Sequence, residues 1–586
     1  MSERNRRIVE TMNVEMEELN CKRFMEALAE ATEKEVNLIR TENGALCYST
    51  TGSALVDFNA RATEMRSAAE EVIFDIMEQA YAEDAVKAVK LMFQTGDIRG
   101  GKGERRAFNI CMDWLVKEHP LVAMEVLTLI PEYTRWDNLV KLTVSDNKEV
   151  AEKATEIVME QLKKDKHALE LKNISGHTEI SLLAKWLPSL QTKKAADKIV
   201  VRHLLKALHL QEREYRHLLS ALREELNVIE KAMSAKEYDK IKMENMTAKQ
   251  QLRYAAFMKR VMTARRHEYI QAVLRGEAKM NVSVLNPLEI LHAYISDSGR
   301  WGEWVIENED YEAMWKLLPD RTSGNGNTLV IRDGSYSMTS SIGQGSSATM
   351  LEAATAMAIY CAEHLTGVFK DKFLTFSSCP ALIDLSDYKT LAGKIRKLYS
   401  YDDCSNTDLE KTFDLILEIA IENHLTQDEI PAYLMILSDM EFDIARGAWE
   451  DSDSRDTLFD TIRMRWNEAG YEMPTLVFWQ LNGRRTIYPE IDSKNGIIFL
   501  SGYSTHELEL VMAGDYEAMV EVTEEETIID EVTGEEKTVL KTRTERVVLT
   551  PMEQLDLKLS AERYDAVESA VREGLAKEFC KKVSNA

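Results

Sequence analysis

The chain has 586 residues, 45% of them hydrophobic and 29% charged, with a formal net charge of −26. That length exceeds one compact core, so at least two domains are expected, and the acidic balance excludes general nucleic-acid affinity over the whole surface. No apolar run reaches the ~20 residues needed to cross a bilayer.

The first twenty residues, MSERNRRIVETMNVEMEELN, have no apolar stretch behind their arginines, so the expected location is cytoplasmic. Seven scattered cysteines without a CxxC read as free thiols in a reducing compartment. The charge is uneven. Residues 326–586 carry 25 Lys and Arg against 47 Asp and Glu, whereas residues 151–300 carry 27 against 19. A locally basic region thus precedes an acidic one, which permits a polyanion surface on the first.

Residues 1–320 read mainly as helix. The segment 53–94 places apolar residues at three- and four-residue steps, with Gly96-Asp97 as its stop. Further helical runs follow, separated by short polar or Gly/Pro breaks. Their number predicts an α-helical repeat domain, a HEAT-like curved solenoid or ring, without a strict sequence repeat. The boundary falls in DRTSGNGNT, residues 320–328. Beyond it, strand-like runs alternate with helical ones, which predicts a parallel, Rossmann-like α/β sheet over 321–586. Residues 526–543 read as a polar hairpin turning at Thr533-Gly534, and the chain ends in an amphipathic helix.

The strongest chemical signal is TLVIRDGSYSM, residues 328–338. A strand delivers Asp333, Ser335 and Ser337 into one tight turn, a carboxylate and two hydroxyls suited to a hard cation such as Mg²⁺ or Mn²⁺. A second strand ends in Asp439, and Thr407 lies in a polar loop between them. These five residues form the candidate metal site. Few protein charges around the cation leave it electrophilic, so an acidic residue of a partner protein could complete its coordination. Asp408 reads as a helix-start residue and Asp443 as a loop residue.

The run 333–337 resembles the metal-ion-dependent adhesion site of von Willebrand factor A domains, with Thr407 and Asp439 matching its second and third motifs. Tyr336 stands where that family usually has glycine. The helical half, through TENGALCYSTTGSALVDF (41–58), DIRGGKGERRAF (97–108), IPEYTRWDNLVKL (130–142), SLLAKWLPS (181–189) and NVSVLNPLEI (281–290), is similar to TROVE-type domains. With SDMEFD (438–443) and VFWQL (477–481), the whole resembles domain of unknown function 2828 and, more distantly, the Ro ribonucleoproteins. That resemblance implies a monomeric helical ring that binds structured or misfolded RNA, closed by the A domain.

Two basic clusters are candidate RNA contacts. Arg99, Lys102, Arg105 and Arg106 surround a glycine turn whose backbone could approach a phosphate, although no Lys-Ser/Thr pair makes it a Walker loop. Arg260, Arg265 and Arg266 belong to a stretch, 251–266, with basic and no acidic residues. Trp114, Trp136 and Trp186 sit in apolar helical contexts and read as core. His267-Glu268 begins no zinc-protease motif, since residue 271 is Gln. With no GxSxG elbow and no evident His partner for the serines of DGSYSM, the sequence reads as a non-catalytic, metal-dependent binding protein. The competing reading is a protein-interaction scaffold without RNA.

Overall fold

Two runs that are buried along their whole length, TLVIRD and YLMILS, become neighbouring central strands, β3 (Thr328–Asp333) and β6 (Tyr433–Ser438). Both are continuous apolar runs because a sheet covered on both faces offers no solvent side. The computed structural model describes residues 37–585 apart from 176–178, 227–228, 299–304, 323–326, 344, 377–379, 402–407, 444–456, 492–495 and 530–535. The readings made for residues 1–36 and for the turn Thr533-Gly534, and part of the boundary segment, lie outside the described residues.

The chain has a helix-rich N-terminal region followed by a mixed-sheet α/β region. Before the helices comes a small antiparallel hairpin, β1 (Leu38–Arg40) with β2 (Leu46–Tyr48). The run 53–94 divides into helices Ala54–Ala60, Glu70–Glu83 and Ala85–Gly96, with a 3₁₀ turn at Glu64–Arg66. Ser53 caps the first, accepting from the Val56 amide, and Asp84 caps the third through the Lys87 amide at 2.9 Å. Asp97 ends it.

The six-stranded sheet has the order β5-β4-β3-β6-β7-β8. The remaining strands are β4 (Lys372–Phe376), β5 (Ala381–Asp384), β7 (Thr475–Gln480) and β8 (Ile497–Ser501). All neighbours are parallel except the edge strand β5, which runs antiparallel to β4. From β3 the chain builds outward through β4 and β5, then returns to place β6 on the other side of β3. Strand order therefore reverses between β3 and β6, the switch point at whose carboxyl ends open α/β sheets form a ligand crevice.

The polar hairpin is longer than its sequence signal, β9 (Glu517–Ile529) against β10 (Glu536–Val548). The C-terminal helix Asp565–Asn585 packs back on the N-terminal region, against Ala85–Gly96 and Pro120–Val126. A Cβ at Gly574 would stand 2.5 Å from the Val122 Cα, so glycine permits this helix approach. At the other end of the helical region, helix Pro287–Ser298 packs on helix Met350–His364, which follows β3. Both ends of the helical path thus rest on the α/β region, and one apolar cluster continues through both.

A buried charged knot joins the two regions. Glu507 accepts from Gln94 at 2.9 Å and Lys558 at 2.8 Å, with the Lys102 ammonium 3.3 Å away. Burial alone would raise the Glu507 carboxyl, but Lys102 and Lys558 hold it down to about 2. Glu507→Gln should destabilise the protein by roughly 3–5 kcal/mol at pH 7, because it leaves two buried ammoniums without their carboxylate. The Glu507 carboxyl lies below its unfolded value, so its contribution is complete above about pH 4.5 and is lost as pH falls towards 2. Denaturant titrations of both proteins should therefore converge on acidification; a gap independent of pH would remove Glu507 as its cause.

Candidate metal centre and nucleic-acid interface

Asp333 ends β3 and Asp439 directly follows β6, so the topological reversal brings the two carboxylates to one crevice. Both are buried. The Ser335 amide donates to Asp333 Oδ1 at 2.9 Å, folding the turn back on the strand end. The Ser335 and Ser337 hydroxyl oxygens lie 3.0 Å apart. Ser438 donates to Asp333 Oδ2 at 2.5 Å and accepts from the Met440 amide at 2.9 Å. Met440 takes a left-handed φ of 64°, and the Glu441 amide then points back to Asp439 Oδ1 at 3.2 Å. Asp439 Oδ2 is left buried without a hydrogen-bond partner.

Burial, then the Asp439 charge, push the Asp333 carboxyl up to about 7. Burial likewise raises Asp439, opposed by the Ser337 hydroxyl and the Glu441 amide. An orphaned buried oxygen and two repelling carboxylates are what a bound cation would relieve. The donor set therefore fits a hard divalent ion held by Asp333, Ser335, Ser337 and Asp439. Among the described residues no three of His, Cys, Asp and Glu gather around a point, and a site of two carboxylates with hydroxyls does not require it. Thr407 lies outside the described residues. Tyr336 is 73% exposed at the rim. Asp408 caps helix Leu409–Glu422, accepting from the Lys411 amide.

The turn of the β1–β2 hairpin docks beside this crevice, which the sequence did not suggest. Thr41 donates to the Phe442 carbonyl at 2.8 Å, and the Glu42 amide to Glu441 Oε2 at 2.6 Å.

The helical region encloses a cavity of about 1410 Å³. Nine of its lining side chains are Lys or Arg, including Arg99, Arg135, Lys185, Arg216, Arg223 and Arg253; the lining holds a single carboxylate, Glu230, among the described residues. Arg216 and Arg253 are exposed, so the cavity meets solvent. Among the described residues, Arg99, Lys185, Arg216, Arg223 and Arg253 form no ion pair. Trp136 and Trp186 are half-buried in this wall, a correction to their reading as core; Trp114 is buried. The Arg135 guanidinium lies 4.1 Å from the Trp186 ring centre. Burial lowers Lys185, countered by Glu230 and reinforced by Arg135.

The two sequence clusters are dispersed. Arg99 lines the cavity and donates to the Glu132 carbonyl. Lys102 does not reach the surface: it is buried in the charged knot and donates to the Asn59 and Ser501 carbonyls at 2.9 and 3.2 Å. Arg105 pairs with Asp137, and Arg106 donates to the Met65 carbonyl at 2.6 Å. The glycines of this turn serve packing. A Cβ at Gly101 would stand 1.9 Å from the Gln94 carbonyl oxygen, so Gly101→Ala should lower the melting temperature by several degrees in a thermal scan. Arg260 is exposed beside a separate depression with Asp297. Arg265 donates to the Tyr238 and Ile241 carbonyls. Arg266, like Lys102, corrects its reading as an RNA contact: it is 1% exposed and bonded to Asp310 at 2.6 Å and Gln251 at 2.8 Å. An interior ion pair of this kind cannot meet a phosphate on the surface.

This architecture defines a chain in which a helical region with a cationic cavity rests on a mixed α/β sheet with an acidic strand-end crevice. Residues 41–134 and 134–327 match the model of domain of unknown function DUF2828, and residues 327–558 match that of DUF7788. An uncharacterized protein of Acanthamoeba polyphaga mimivirus is 29% identical over 507 residues, 81% of this chain and 85% of the viral protein. Among the described residues, no helix is long and apolar enough to cross a membrane.

Proposed function

We propose that the protein is an RNA-binding protein in which the helical region, a TROVE-like HEAT-type ring closed by a von Willebrand A-like domain, holds RNA in its cationic cavity. The single observation that carries this reading is the concentration of nine cationic side chains in one cavity of a protein of net charge −26, five of them in no ion pair among the described residues and four paired with Asp137, Glu224, Glu289 and Glu509. Such a cavity attracts a phosphate backbone, while the acidic remainder of the surface repels it and confines RNA to that place. Trp136 and Trp186 supply ring faces at the wall, and stacking on rings accepts any base, which suits a single-stranded segment of a structured or misfolded RNA. Arg260, outside the cavity, would be a peripheral contact.

The crevice at Asp333 and Asp439 would bind Mg²⁺ or Mn²⁺ through two carboxylates and two hydroxyls, leaving a coordination position for a partner's oxygen. Exposed Tyr336 at the rim favours a second reading for this crevice alone, a docking point for an acidic residue of a protein partner. Fluorescence-anisotropy titration with structured RNA carrying a single-stranded end tests the first reading. Micromolar or tighter binding at low salt is expected, and no change in anisotropy would leave the scaffold reading in its place.

A further inference from the structure

The loop before helix Met350–His364 places a serine, a histidine and a glutamate in line. Ser347 is exposed. Its hydroxyl oxygen lies 3.0 Å from Nε2 of His292, which stands on helix Pro287–Ser298 of the other region. His292 Nδ1 lies 2.9 Å from Glu352 Oε2. The Glu352 carboxylate is itself fixed, because the same oxygen accepts the Thr349 amide at 3.0 Å in the capping box of the helix. With a carboxylate on Nδ1, that nitrogen carries the ring proton and Nε2 is left as the base facing Ser347. The Ser296 hydroxyl lies farther from Nε2, at 3.4 Å.

We propose that Ser347, His292 and Glu352 form an acyl-transfer site, distinct from the metal crevice and the cavity, that cleaves esters of small acyl groups. A nucleophile, a base within hydrogen-bond reach and a third group orienting that base are the constellation the chemistry needs, whatever the fold. Ser347 Oγ attacks the ester carbonyl carbon as its proton moves to His292 Nε2. The carbon–oxygen bond to the alcohol then breaks, and that proton leaves with the alcohol. Water next adds to the Ser347 acyl ester, His292 takes and returns its proton, and the acid departs with Ser347 restored. Glu352 is a positioning residue. The open surroundings of Ser347 suit a small or extended acyl group presented from solvent.

The full-length protein is treated with a fluorophosphonate probe and digested for mass spectrometry, and p-nitrophenyl acetate hydrolysis is followed in parallel. Stoichiometric labelling on Ser347 and a burst of one p-nitrophenolate per chain are expected. Ser347→Ala should abolish both, while His292→Gln should slow labelling by about 100-fold or more. Glu352→Gln should slow it, and Glu352→Asp should recover part of the rate, which a purely structural pin between two helices would not require. Circular dichroism and thermal melting establish that each variant is folded. Absence of label in the folded wild type, label on another serine, or labelling indifferent to His292 would overturn the proposal.

Discussion

Reversing Arg216 and Arg253 to glutamate should weaken RNA binding roughly a hundredfold at 100 mM salt, a loss of about 2.7 kcal/mol. Both guanidiniums line the cavity, both are exposed and neither is engaged by a carboxylate among the described residues, so neither substitution breaks an internal ion pair. If about five phosphates are neutralised, the logarithm of affinity should fall with the logarithm of salt at a slope near −3.5, about a hundredfold between 50 and 200 mM. Removing two contacts should flatten that slope to about −2. Arg260→Glu, outside the cavity, should cost far less and leave the slope nearly unchanged. Anisotropy titrations at four salt concentrations supply all of these values. If Arg260→Glu weakens binding as much as the double reversal, RNA lies on the outer surface and the cavity reading fails.

How much of this was readable beforehand depended on whether the signal was local. The two central strands were legible because a buried parallel strand must be an uninterrupted apolar run, and each run ended in an acid at the carboxyl edge. The stop at Gly96-Asp97 was legible for a similar local reason. The β1–β2 hairpin was not, since three-residue strands give too few alternations to register. The charged clusters misled because sequence proximity does not distinguish a solvated arginine from one such as Arg266, whose partner Asp310 is 44 residues away.

The cavity failed to register for the opposite reason. Its cations are scattered from Arg99 to Arg321, and only the path of the helices gathers them. The net positive charge of 151–300 was their one trace in sequence. Trp136 and Trp186 have apolar neighbours along the chain, yet both stay half-buried because they line the cavity. Ser347 and His292, 55 residues apart, carry no sequence signature at all.

Asp439→Asn should abolish cation binding and at the same time stabilise the cation-free protein. Asp439 is buried, its Oδ2 has no hydrogen-bond partner, and its charge helps raise Asp333. The amide keeps the shape, removes one of two repelling carboxylates and removes the cost of a buried unpaired charge. Asp439→Ala should also lose binding, but without this gain, because it leaves a hole in the crevice. For the wild type, Mg²⁺ or Mn²⁺ at 100 times its Kd should add about 2.7 kcal/mol of stability. Chelation should reverse that gain, and neither variant should show it. Ser335→Ala should fall between, since it takes one hydroxyl from a site whose carboxylates remain. Thermal scans with and without chelator, beside titration calorimetry, separate these outcomes. A residue present only for the fold would behave otherwise: Asp439→Asn would destabilise the protein in both conditions and leave the response to cation intact. That pattern would reduce the crevice to a turn with capping serines.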